Sequence, residues 1–61
     1  MLDTLISHRA SLQTFHATAS DIPTEPLSIG LRLTLGIYTV ILSDAISVLT
    51  SLIEFLSHEH P

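Results

Sequence analysis

Neither cysteine nor lysine occurs in this 61-residue chain, and charge of either sign is scarce. Without cysteine there are no disulfides and no thiolate metal sites, and the redox compartment is left open. Without lysine the basic complement shrinks to Arg9 and Arg32, within a formal net charge of −4. A nucleic-acid binder needs an electropositive stripe to displace counterions. Two arginines do not make one, so no nucleic-acid partner is expected. The same shortage excludes a peripheral helix held on anionic lipid by a basic face. Charged residues make up 13% of the chain, about half of the roughly 25% usual in a soluble domain. Hydrophobic residues reach 46%. A domain this small buries only about 60% of its unfolded surface, so it should need more charge than average. Much of its surface is therefore expected to meet other protein or lipid.

Catalytic signatures are missing as well. There is no nucleophile elbow, phosphate loop, pair of catalytic carboxylates or dinucleotide fingerprint. A chain of this length does not form a deep pocket alone, so neither an independent enzyme nor a bound cofactor is expected. Of the four histidines, His8 and His16 fall on one side of a first helix, and His58 and His60 flank Glu59. None has the i, i+4 spacing of a helical zinc pair, and no metal site is expected. His58 instead complements the dipole at the end of the long helix.

What is present is helix. The pattern predicts an all-α fold: a short amphipathic N-terminal helix, a proline-containing connector and a long apolar C-terminal helix. These form either a helical hairpin or a single span. Residues 2–19 carry Leu2, Leu5, Ile6, Leu12, Phe15 and Ala19 on one side, with Asp3, Ser7, Arg9, Ser11, Gln13 and Thr14 on the rest. Asp3 or Thr4 is the expected cap. The apolar stripe is thin, so this helix depends on docking. Its opening has no basic n-region and no uninterrupted apolar core, so a secretory signal is not expected. Residues 20–26, SDIPTEP, place prolines at 23 and 26. Each removes a backbone donor and pushes its predecessor out of the helical region. Thr24 is the expected N-cap of a helix over residues 27–57, with a frayed tail at 58–61.

The long helix carries the informative positions. Leu31, Tyr38, Ala45 and Leu52 alternate with Leu35, Leu42, Leu49 and Leu56 at spacings of four and three, an apolar seam for helix packing. Ile41, Val48 and Phe55 lie behind it, joined by Val40, Ile46 and Ile53. A helix apolar on nearly every face sits at the centre of a bundle or in a membrane. A strip of Gly36, Ser43, Thr50 and Ser57, flanked by Ser47 and Ser51, admits a close helix neighbour in the manner of packed membrane helices. On a soluble helix the same strip is simply a polar edge.

Residues 33–53 span about 31 Å at 1.5 Å per residue, near the roughly 30 Å of a hydrocarbon core. Their eleven Leu, Ile and Val side chains favour insertion by about 5 kcal/mol, and Asp44 near the centre costs about 3. Seven Gly, Ser and Thr residues consume most of the remainder. Such a helix enters a membrane beside a partner, with Asp44 facing that partner; in water Asp44 is a solvated carboxylate.

The leading expectation is thus a small, non-catalytic structural or accessory subunit of a larger membrane-embedded complex. Its partners would be other protein subunits, and its N-terminus would lie on the cytoplasmic or equivalent side. The alternative is a soluble cytoplasmic hairpin that dimerises into a four-helix bundle and acts as a binding or regulatory module. A third class, a small self-associating membrane-permeabilising protein, lacks the basic tail it would use.

Overall fold

A computed structural model describes residues 1–59 as two helices, α1 (Leu2–Ser20) and α2 (Ile29–Glu59), folded into an antiparallel hairpin. The rod measures 50 × 14 × 12 Å. The expectation for the tail at residues 60 and 61 lies outside the described residues.

The cap of α1 lies two residues before Asp3 and three before Thr4. Met1 occupies the cap position without a side-chain bond, and its carbonyl accepts the Leu5 amide at 3.1 Å. Asp3 instead sits in the first turn, where a carboxylate suits the positive end of the dipole. At the far end the Asp21 amide donates to Ala17 and Thr18 carbonyls, and the chain leaves the helix before Pro23.

The connector is longer than the sequence suggests. Thr24 does not cap α2; its carbonyl accepts the Leu27 amide at 3.0 Å, closing a turn over Glu25 and Pro26. Ser28 is the cap, its hydroxyl oxygen accepting the Leu31 amide and its carbonyl the Arg32 amide. Arg32 then reaches back over this loop. Its Nε donates to the Thr24 carbonyl at 2.8 Å and its Nη2 to the Glu25 carbonyl at 2.9 Å. Arg32 is therefore the clamp that holds the connector on the first turn of α2.

The half-buried and buried positions of α1 are Leu2, Leu5, Arg9, Leu12, His16 and Ala19, spaced by three and four. On α2 the line facing them runs Leu35, Thr39, Leu42, Ile46, Leu49, Ile53 and Leu56, again by four and three, with Ala45 and Thr50 half-buried at its flanks. Two such lines facing each other have the spacing of knobs-into-holes packing. The fully covered core is small: Ala19, Leu42, Leu49 and Ile53. The sequence places Arg9 off the apolar stripe of α1 and gives His16 no place in it. They fall inside the seam because its spacing, not the polarity of single residues, sets which positions face α2. Ile6 and Phe15 are exposed in their place. Arg9 accommodates by sending Nη1 3.4 Å to the Thr50 hydroxyl oxygen, which itself donates to the Ile46 carbonyl at 2.8 Å.

Candidate functional site: the open face of the long helix

The leucine column Leu35, Leu42, Leu49 and Leu56 lies where packing was expected, against α1. Its partner column does not. Leu31, Tyr38 and Leu52 are exposed and Ala45 is half-buried. The column that joins the leucines under α1 is Thr39, Ile46 and Ile53, one residue on. One position turns a side chain by about 100°, which moves Tyr38, Ala45 and Leu52 to the far edge of the leucine column.

There they find different neighbours. Leu31, Thr34, Tyr38, Ile41, Ala45, Val48, Leu52 and Phe55 follow one another at alternating spacings of three and four along α2. Seven of the eight are exposed and none is charged. This is a second complete heptad seam, rotated by roughly a quarter of a turn from the one that α1 covers. Helix α2 therefore has two packing faces and one partner. Ile29, Leu33, Ile37 and Val40, also exposed, extend the apolar surface behind the open seam.

The remaining candidate residues surround this face. Asp44 is exposed at its outer rim. Gly36 and Ser43 are exposed on the side turned away from it, while Ser47 and Ser51 are exposed in between, Ser47 in the column of Val40 and Ser51 in that of Ile37 and Asp44. A Cβ added at Gly36 meets nothing within 4 Å, nor does one at Gly30, so the close approach expected at Gly36 is not made within this chain. The hydroxyls of Thr34, Thr39 and Thr50 return to the helix's own carbonyls at 2.8–2.9 Å. That satisfies them locally and lets the helix lie against apolar surroundings without stranded donors. Among the described residues no three His, Asp or Glu side chains converge. The grooves along α2 are shallow, one lined by Leu33, Gly36, Ile37, Val40 and Ile41 and another by Leu27, Leu31, Thr34 and Tyr38. Both are open and mostly apolar.

Helix α2 is long and apolar enough to cross a membrane, and only 11% of its most apolar stretch is buried in the hairpin. Compared with protein-family models, curated proteins and solved structures, the chain matches none.

Proposed function

We propose that this chain is a non-catalytic structural subunit that works by helix packing, with the open face of α2 covered by other protein. The observation that carries this reading is the second seam. Ten large hydrophobic side chains of α2 are between 45% and 75% exposed, on a chain with few charges to keep it apart from its neighbours. Monomeric soluble proteins rarely leave contiguous apolar patches beyond a few hundred Å² uncovered, and larger ones mark interaction sites.

A second setting for the same role is a membrane-embedded complex, with α2 crossing the bilayer beside a partner and the N-terminus on the cytoplasmic or equivalent side. Its support is the length and composition of α2 and the self-satisfied threonine hydroxyls. The hairpin weighs against a span surrounded by lipid. Helix α1 lies along the part of α2 that would cross, and Asp3, His8 and Gln13 are exposed on it. In a bilayer those groups need a neighbouring subunit over them, or α1 must leave α2 for the surface.

Fractionation of the untagged chain with an alkaline wash, followed by native sizing, tests the role. Recovery in a species larger than the 6.7 kDa monomer, from either fraction, is the expected result. Retention in the washed membrane within a large complex places the role in a bilayer. A free monomer in the supernatant overturns the proposal.

A further inference from the structure

We propose that the occupant of the open α2 seam is the same seam of a second copy, running antiparallel with its twofold axis beside Ala45. The inference rests on the reading of that face as protein-covered, and it names the partner.

An isologous dimer requires a surface complementary to itself. The seam meets this requirement in one orientation. Reversed about Ala45, it sets Tyr38 level with Leu52 and brings Ile41 and Thr34 within about 1.5 Å of the levels of Val48 and Phe55, while alanine meets alanine at the axis. Each larger side chain faces a smaller one, and the small central residue lets the helices approach. The parallel alternative stacks Phe55 on Phe55 and Tyr38 on Tyr38 and leaves Thr34 facing itself. It also aligns the helix dipoles head to head, whereas the antiparallel pair opposes them. The seam holds no charged residue, so the acidic character of the chain does not bar a second copy from it.

The area is adequate. Residues 31 to 55 cover about 36 Å of helix, and a strip one helix wide, roughly 10 Å, amounts to about 400 Å² per chain before α1 is counted. Helix α1 adds to it. Arg9 and Thr50 meet along one edge of the hairpin. Phe15, a third of a turn round α1 from Arg9 and 54% exposed, lies on the opposite edge, the same side as the open seam. Two hairpins laid face to face put α2 on α2 and α1 on α1, with Phe15 under cover, and approach the roughly 800 Å² per partner of a stable interface. Every adjacent helix pair in that arrangement is antiparallel, as in an up-down four-helix bundle.

The absence of native cysteine allows a direct test. In a Tyr38→Cys, Leu52→Cys double variant the two thiols are about 21 Å apart along one helix. Bridged Cα atoms lie within about 7 Å, so any disulfide joins two chains. Oxidation is carried out in whichever fraction holds the chain, soluble or membrane. The expected result is a covalent dimer from the double variant, with little from either single variant and none from Ser43→Cys on the other side of α2. Efficient crosslinking of Tyr38→Cys alone overturns the antiparallel register. No crosslink from any variant, with the chain still held in a larger complex, overturns the second copy while leaving the structural role intact. A free monomer removes both. Independently, Val48→Glu alters the seam without touching the α1 packing. It should keep its helical circular dichroism and weaken self-association of the full chain at least tenfold by sedimentation; unchanged association overturns the proposal.

Discussion

Two residues of this chain do work that their positions in the sequence conceal. Arg9 is a cation inside a leucine seam, held by one long bond to Thr50. Leucine at that position keeps the three-four spacing of Leu2, Leu5 and Leu12, removes the cost of part-burying a guanidinium, and forfeits only a weak contact. Arg9→Leu is expected to stabilise the chain by about 1 kcal/mol, read from urea unfolding followed by circular dichroism; a loss of stability would show that the Thr50 bond matters more than packing. Arg32 is the converse case. Its two bonds to the connector carbonyls are charge-assisted but exposed, so Arg32→Ala should cost no more than about 1 kcal/mol. The loss should come with faster amide exchange in the turn around Leu27. Asp44 stands at the rim of the open seam near the proposed axis, where two copies of the carboxylate approach one another. Asp44→Asn is expected to tighten self-association two- to threefold, in the range of exposed like-charge pairs, and sedimentation of the two proteins at low salt measures it.

At the scale of elements, the two helices and the break between them were legible in the sequence, because prolines at 23 and 26 and the change from a thin apolar stripe to a nearly continuous one are local signals. The phase of α2 was not. Its leucine column belongs to either of two seams, one shared with Thr39, Ile46 and Ile53, the other with Tyr38, Ala45 and Leu52. An apolar column on both flanks removes the contrast that periodicity needs. Only α1 breaks the tie, and α1 is itself a poor guide, since its seam includes Arg9 and His16. The expected seam thus straddled two faces: half of it is covered within the chain, and half starts the open one. The glycines show the same limit. Gly36 reads as a place for close helix approach, yet an added methyl meets nothing. Within the hairpin, Gly36→Ala should therefore raise stability by about 1 kcal/mol through helix propensity alone. It should also leave self-association through the open seam unchanged, because Gly36 lies on another side of α2. A stabilised chain that no longer assembles would show instead that the small-residue strip holds a partner.

The whole molecule is a rod whose covered core comprises Ala19, Leu42, Leu49 and Ile53. Domains below roughly 70–80 residues seldom draw more than about 3–5 kcal/mol from one hydrophobic core, and without disulfides or metals they turn to association. The hairpin has no cysteine for the first and carries on α2 an apolar seam as long as the one it has already used. If closing that seam with a second copy stabilises the fold, the melting temperature depends on concentration. Each tenfold increase in protein shifts a two-chain equilibrium by about 1.4 kcal/mol per dimer. That is about 0.7 per chain, or roughly 3–6 °C in a domain of this size. Melting curves across two decades of concentration measure this directly. A rise of that slope is the expected outcome, and it should vanish in Val48→Glu, whose hairpin is left to stand on its own core. A wild-type melting point that does not move with concentration would mean that one seam is enough for the fold. The open face of α2 would then serve a partner the chain does not need in order to fold.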